Sequence, residues 1–246
     1  MKRKTNRSQY ANQQKFQPYC FIDRNNRKIV NFTPEIKILI LPYDKKIWKT
    51  AFPEVKETFA KKLLLTNVGV YSIAKPNHVN PLMDHLRKYG NINNMTVLDG
   101  NGGMGGLSII LSHSFKSVDV VEITPEHTKV IRNNAKVYGR NNIQAVQDDF
   151  MSFIEKTKNK YDFIIFDLPW GGRNYYKTKS IKLGFNNVNI WCIINKYIDK
   201  AKKAFIIWAP FNFDIQDFIK NIRINNIRII RPPKSKHYWI IVSKEK

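Results

Sequence analysis

Two short stretches hold residue types that do chemistry. In "IIFDLPWGG" (164–172) an apolar run, Tyr161–Phe166, ends in a carboxylate, Asp167, followed by Leu168, Pro169, Trp170 and two glycines. An apolar run of that length closed by turn residues reads as a buried strand. Asp167 and Trp170 then stand where the strand meets its loop. The carboxylate of Asp167 and the carbonyl of Leu168 are hydrogen-bond acceptors that could hold and polarise an exocyclic amine, whose lone pair is otherwise delocalised into its ring. Pro169 stiffens the turn and brings no competing N–H. Trp170 offers a face to a nucleobase, a stack worth ~1–3 kcal/mol, and a cationic base adds a cation–π increment. Taken alone, the stretch reads better as a β-turn around a structural tryptophan.

The second stretch is "VLDGNGGMGG" (97–106). Gly100-x-Gly102-x-x-Gly105 fits the fingerprint of a loop that lets a dinucleotide approach the backbone, a weak signal when it stands alone. Its position strengthens it, because Glu122 closes the next strand, where an acid accepts both hydroxyls of a ribose. Asp99 directly precedes the first glycine. A carboxylate there repels a pyrophosphate but suits a cationic ligand. S-adenosylmethionine, with a ribose, an ammonium and a sulfonium and no phosphate, fits better than a nicotinamide dinucleotide. Asp148 and Asp149 end the third strand of the pattern. They could accept from an adenine amine, cap the helix beginning at Phe150, or do both.

These residues need a scaffold, and the chain supplies one from about residue 76. A helix starts near Pro76 with Val79, Leu82, Met83 and Leu86 on one face. Strand Thr96–Asp99 precedes helix Gly105–Ser114. Strand Val118–Glu122 precedes helix Pro125–Tyr138, which has proline in its first turn and Gly139 at its end. Strand Ile143–Gln147 precedes the short helix Phe150–Lys156, and strand Tyr161–Phe166 follows. A helix Val188–Lys200, a strand Ala204–Trp208 and a helix Ile215–Ile222 come next. Strands Ile227–Arg231 and Tyr238–Val242 close the chain around Pro232-Pro233. Alternation of this kind implies an α/β fold with a mostly parallel sheet, and the last close pair implies one antiparallel strand. Ligands in such sheets bind beyond the carboxyl ends of the strands, where Asp99, Glu122, Asp148 and Asp167 all lie. Residues 17–75, broken by four prolines, read as an extension packing on this core, with a hairpin in "CFIDRNNRKIVNF". Residues 1–16 read as a basic, polar tail.

At 43% hydrophobic the 246 residues can bury a real core, despite a mean hydropathy of -0.42. Lys and Arg number 42 against 19 acids, a net charge of +23. Biased composition toward Lys, Asn and Ile explains part of the lysine count but not the shortage of acids. Nucleic acid is therefore the expected partner, ahead of a membrane surface. Cys20 and Cys192 are isolated and give neither metal spacing nor a disulfide framework. They imply a reducing compartment, cytoplasmic or nuclear. The composition biased toward Lys, Asn and Ile points to a large DNA virus or a protist, and in the first case to a viral replication compartment. No run approaches the ~18 apolar residues of a membrane span. No metal is expected, and a monomer is.

"DLPW" resembles the (D/N/S)-P-P-(Y/F/W) motif of amino-group methyltransferases. "PWGG", with "RNNAKVYG" (132–139) and "DDF" (148–150), resembles the trimethylguanosine synthases from about Tyr71 to the C-terminus. These enzymes methylate the exocyclic N2 of a 7-methylguanosine RNA cap. The resemblance implies a Rossmann-like class I methyltransferase fold with a seven-stranded sheet. It implies that Asp99, the loop glycines, Glu122 and Asp149 bind S-adenosylmethionine and that Trp170 stacks on the methylated guanine. Tyr175 would lie near the cap phosphates, and Ser72, in "YSIAKP" (71–76), in the cap pocket. The chain departs from the family at Leu168, where a proline is usual, at Asp167 for Ser, and at Ala74 for Thr. Phe211, in "PFNFDI", stands for a basic residue. Phosphate binding would then be rebuilt from Arg173, Lys177, Lys179 or the basic N-terminal region. "GNGGMGG" replaces "FCGVGG". Two rivals stand beside this reading: a methyltransferase acting on an internal guanine or adenine amine of RNA or DNA, and a catalytically dead nucleic-acid-binding module.

Overall fold

The computed structural model describes residues 20–23, 28–30, 37–172, 174–186 and 188–244. The described chain forms two compact units. The first takes Ile38–Asp167, Tyr197–Ala209 and Ile224–Lys246; the second takes Leu168–Lys196, Pro210–Arg223 and the described residues up to Lys37. The expected boundary at residues 75 and 76 falls inside the first unit.

The first unit is built on a seven-stranded sheet. Its strands are β1 (Thr96–Asp99), β2 (Ser117–Glu122), β3 (Ile143–Gln147), β4 (Tyr161–Phe166), β5 (Ala201–Pro210), β6 (Asn226–Ile230) and β7 (His237–Ser243), in the order β6-β7-β5-β4-β1-β2-β3. The pairs β1–β2, β2–β3, β1–β4 and β4–β5 are parallel, and β6–β7 is antiparallel. Chain order reverses between β1 and β4, so β1 sits beside both β2 and β4. A crevice at such a reversal is where α/β sheets receive ligands. In β4 all residues but Asp162 are buried, as the apolar run Phe163–Phe166 demands of a parallel strand covered on both faces.

Most expected elements lie within a residue or two of their expected ends. The Pro76–Leu86 helix buries Val79, Leu82, Met83 and Leu86. The Gly106–Ser112 helix is buried throughout, and the Pro125–Val137 helix ends before Gly139 at φ +64°. Asp149 caps the Phe150–Lys156 helix by accepting from Ser152 N at 3.1 Å.

One element differs in kind. The span expected as one helix from Val188 to Lys200 breaks into three pieces. Val188–Asn189 pairs antiparallel with Gly184–Phe185, the helix covers only Ile190–Lys196, and Ile198–Lys200 is a 3-10 turn. Asn189 Oδ1 accepts from Trp191 N at 3.4 Å, which starts the helix late. β5 begins at Ala201, ahead of the expected Ala204, because Ala201 already pairs with Tyr161.

Residues 38–75 share the first unit's core. Trp48, Ala51, Phe52, Leu63 and Leu65 pack in one cluster with Met104, Ile109 and Val130. Part of "RNNAKVYG" fastens this segment. Asn134 donates from Nδ2 to Leu64 O and accepts Leu64 N at Oδ1, both at 2.9 Å. Asn133 Nδ2 donates to Lys62 O at 2.9 Å, and the Tyr138 hydroxyl to Pro53 O at 2.6 Å.

In the second unit, Thr178–Ser180 pairs antiparallel with Cys20–Asp23, which pairs with Lys28–Val30 as the expected hairpin. The hairpin's turn and the tail at 1–16 lie outside the described residues. Buried Asn212 donates to Tyr175 O at 2.9 Å and to Thr178 O at 2.7 Å, holding the turn that begins at Tyr175. The Ile190–Lys196 and Ile215–Asn221 helices are joined through Asn195 Nδ2, which donates to Asn221 O at 2.9 Å.

Candidate functional site: the glycine loop and the Asp167 turn

The loop after β1 is shaped by close contacts. Gly100 N–H donates to Ile165 O on β4 at 2.9 Å, and Gly102 N–H to Val121 O on β2 at 3.0 Å. A Cβ on Gly102 would meet Val120 Cγ1 at 2.3 Å, so a side chain is excluded there. Gly105 sits at φ +87°, a left-handed conformation that opens the next helix.

Two acids hold the loop from below. Asp99 is 1% exposed; its Oδ2 accepts from Ser108 Oγ at 2.5 Å and its Oδ1 from Asn101 N at 3.4 Å. Burial raises its pKa to about 6; the Ser108 bond opposes the rise and nearby Glu122 adds to it. Glu122 is 7% exposed. It accepts Gly103 N at 2.7 Å on Oε2 and Thr124 N at 2.8 Å on Oε1. A carboxylate has about four acceptor positions, so two bonds leave Glu122 capacity for further donors. His127 Nδ1 stands 3.5 Å from Glu122 Oε1, and its Nε2 lies 3.1 Å from Thr66 Oγ1. Asp148 follows β3 half-buried; its Oδ1 accepts Asp149 N at 2.8 Å, and Asp149 caps its helix.

Asp167 follows β4. Its carboxyl is pushed well above the usual carboxylate range, by burial first and then by the neighbouring charge of Asp99. Its backbone is gripped by one side chain. Asn101 Oδ1 accepts Asp167 N at 3.0 Å, and Asn101 Nδ2 donates to Asp167 O. The structure thus brings Asp99, Gly100, Gly102, Gly105, Glu122 and Asp167 together at the β1, β2 and β4 ends of the first unit.

The remaining expected residues stand as follows. Leu168 is buried, Pro169 exposed and Trp170 half-buried, and Gly171 and Gly172 adopt φ +94° and +81°. The Trp170 and Tyr175 rings meet edge-on with centroids 5.1 Å apart, and Tyr175 lies 6.3 Å from Phe211. Burial raises the Tyr175 hydroxyl's pKa. These residues belong to the second unit, Ser72 to the first. Ser72 is exposed, with its hydroxyl donating to Val68 O at 3.2 Å. Lys177 and Lys179 are exposed, and Arg173 lies outside the described residues.

Sequence reasoning did not single out Asn101, Ser108, Thr124 or His127. Asn101 stood as a variable position inside the glycine pattern. A polar side chain among glycines was its one signal. Among the described residues no group of three or more His, Cys, Asp or Glu could hold a metal ion, and no helix is long and apolar enough to cross a membrane.

With this geometry in place, residues 94–236 match the sequence model of the RNA cap guanine-N2 methyltransferases. That span takes in the glycine loop, "RNNAKVYG" and "PWGG". An uncharacterized protein of Acanthamoeba polyphaga mimivirus is 24% identical over 230 residues, 83% of this chain and 90% of that protein. An uncharacterized RNA methyltransferase of Thermotoga maritima is 34% identical over 92 residues, 37% of this chain and 21% of that one. Among solved structures, a T. thermophilus 16S rRNA N2 methyltransferase in complex with AdoMet and guanosine superposes with a TM-score of 0.53 at 13% identity, covering 70% of this chain and 44% of the other. A likeness at that identity speaks for the fold, which is the Rossmann-like methyltransferase fold that the motifs imply.

Proposed function

The chain belongs to the RNA cap guanine-N2 methyltransferase family, and on that premise we propose that it moves the methyl group of S-adenosylmethionine onto the exocyclic N2 amine of a 7-methylguanosine RNA cap. The coarser statement, an S-adenosylmethionine-dependent methyltransferase acting on RNA, follows from the family. One observation supports the finer one: the family match over residues 94–236 takes in both the glycine loop and the Asp167–Trp170 turn.

The roles follow from chemistry. Glu122 accepts the ribose hydroxyls with the capacity left beside its two backbone donors. Asp149 or Asp148 takes the adenine amine. Asp99 lends negative charge beneath the loop that receives the cationic cofactor. Asp167 and the Leu168 carbonyl accept the two N2 hydrogens and turn the nitrogen lone pair toward the methyl carbon. When bound, S-adenosylmethionine would supply an electrophilic methyl group and a sulfur leaving group that takes back the electron pair of the S–C bond as the N–C bond forms. The methylated nitrogen would then lose one proton, with the ionised Asp167 carboxylate as its acceptor. Trp170, three residues along the chain, stacks on the methylated guanine. Tyr175, Ser72 and the basic residues Arg173, Lys177 and Lys179 complete the cap contacts. A net charge of +23 favours an RNA partner. The mimiviral relative fits a viral replication compartment, and the protein acts as a monomer.

The test is mass analysis of 7-methylguanosine triphosphate after incubation with enzyme and S-adenosylmethionine, beside an uncapped RNA. Gain of one or two methyl groups on the cap nucleotide is expected. Methylation of the uncapped RNA alone would replace the cap with an internal base.

A further inference from the structure

We propose that Asn101 is a positioning residue for methyl transfer: its side-chain amide clamps the Asp167 backbone to the glycine loop, leaving the Asp167 carboxylate and the Leu168 carbonyl as the acceptors for the substrate amine. The inference rests on the methyltransferase reading above and goes beyond it. At this position the chain also departs from the family pattern, with "GNGGMGG" for "FCGVGG".

Backbone pairing explains why such a clamp is needed. The β1–β4 register ends at Asp99 and Ile165, and Gly100 N makes the next bond, to Ile165 O. Two residues later Gly102 N bonds Val121 O on the opposite neighbour, β2. The loop backbone therefore swings from β4 to β2 just where Asp167 would need its next partner. The Asn101 amide carries the same donor and acceptor as a peptide group. It supplies both, accepting Asp167 N at 3.0 Å and donating to Asp167 O. Two bonds from one planar group fix the flanking peptide planes, and with them the direction of the Cα–Cβ bond that carries the carboxylate.

Two consequences follow. The Asp167 carbonyl already accepts from Asn101 Nδ2, and Leu168 carries the next backbone acceptor along the turn. The clamp also continues a chain of bonds, because Ser108 Oγ holds Asp99 Oδ2 and Asp99 Oδ1 accepts Asn101 N. The helix behind the cofactor loop, the loop itself and the acceptor turn are joined through Ser108, Asp99, Asn101 and Asp167.

The experiment compares wild type with Asn101→Ala and Asn101→Asp for kcat, KM of the acceptor, cofactor affinity by calorimetry and melting temperature. Wild type is first assayed on 7-methylguanosine triphosphate and on uncapped RNA, and whichever it methylates serves for the variants. Methylation of uncapped RNA alone overturns the cap reading and leaves this test intact; methylation of neither overturns both. Asn101→Ala should keep cofactor affinity within about threefold and lose roughly 10- to 100-fold in kcat, the cost of a misplaced reacting group. Asn101→Asp places a third carboxylate beside Asp99 and Asp167 and should be slower still at neutral pH. At acidic pH the new carboxyl keeps its proton and repeats the amide's donor and acceptor. The activity of Asn101→Asp relative to wild type should therefore rise as pH falls. A role in stability alone would lower melting temperature and leave that ratio flat. Wild-type kcat in Asn101→Ala, a loss matched by the loss of folded protein, or a ratio unchanged with pH would each overturn the proposal.

Discussion

The strand ends of the first unit and the Leu168–Lys196 and Pro210–Arg223 segments of the second both hold loops in place, by different means. Around the glycine loop the work is done by buried acids bonded to backbone N–H groups: Glu122 to Gly103 and Thr124, Asp99 to Asn101. Aromatic rings there are packing, as in the perpendicular contact of Phe150 and Phe166. In the second unit the strands are two to four residues long and side chains do more of the holding. Asn212 ties down Tyr175 and Thr178, and Asp217 accepts from Trp191 Nε1 at 3.3 Å and pairs with Lys182 at 3.1 Å. Here rings reach solvent, with Tyr176 46% and Phe211 44% exposed. The contrast matches the proposed division of labour. A cofactor of constant shape suits a rigid loop made mostly of main chain. An acceptor nucleotide suits exposed rings whose identity can change without disturbing the sheet.

The contrast can be broken most severely at Asp167. Asp167→Asn should lower the single-turnover rate by at least ~100-fold, the scale of a lost proton acceptor, and leave cap binding nearly intact. Wild-type activity should also fall on acidification at a pH above the usual carboxylate range, because the raised pKa of Asp167 keeps it protonated there. A wild-type rate in the variant would leave the Leu168 carbonyl sufficient.

Glu122→Ala should weaken cofactor binding by ~10- to 100-fold, since the ribose loses its acceptor and two loop N–H groups lose theirs. Calorimetry reads this, and an unchanged affinity would remove Glu122 from the cofactor site. Trp170→Ala tests the other region. It should cost about tenfold or more in affinity for 7-methylguanosine triphosphate and much of the preference over GTP, because only the methylated base carries the charge that adds a cation–π increment of ~0.5–2 kcal/mol. Cofactor affinity should hold. A preserved preference would point to another ring.

Asp99→Asn separates stability from function. The folded-state pKa of about 6 exceeds the ordinary 3.8, so the folded protein binds this proton more tightly than the unfolded chain. The contribution to stability is most favourable below pH ~4, declines as pH rises toward 6 and stays low above it. The variant should melt higher than wild type at pH 7–8 by roughly 2–6 °C and show little difference near pH 4, while cofactor affinity drops. A lower melting temperature at neutral pH would make the carboxylate's bonds to Ser108 and Asn101 worth more than its burial costs. The smallest effect is expected from Phe211→Arg, which restores the basic residue usual in the family. Capped-RNA affinity should rise about two- to fivefold at low salt, with a steeper salt dependence.

The scaffold was legible because its signals are local. Short stretches rich in Val, Ile and Phe between helices marked β1 to β4, Pro125 and Gly139 bracketed one helix, and Asp149 announced another. The glycine loop, "RNNAKVYG" and "PWGG" carried the family, since each is a short run of neighbours. The split at Asn189 was hidden, because Val188 and Asn189 pair with a strand while their apolar spacing continues a helix. Above all, the sequence by itself determined which side chains could donate and accept, and tertiary structure decided with whom. Asn101 meets Asp167 across 66 residues, Asn134 meets Leu64 across 70 and Asn212 meets Thr178 across 34. An amide mimics a peptide group equally well against any exposed backbone edge. Only the folded chain, by leaving those particular edges without a strand partner, assigned each asparagine its place.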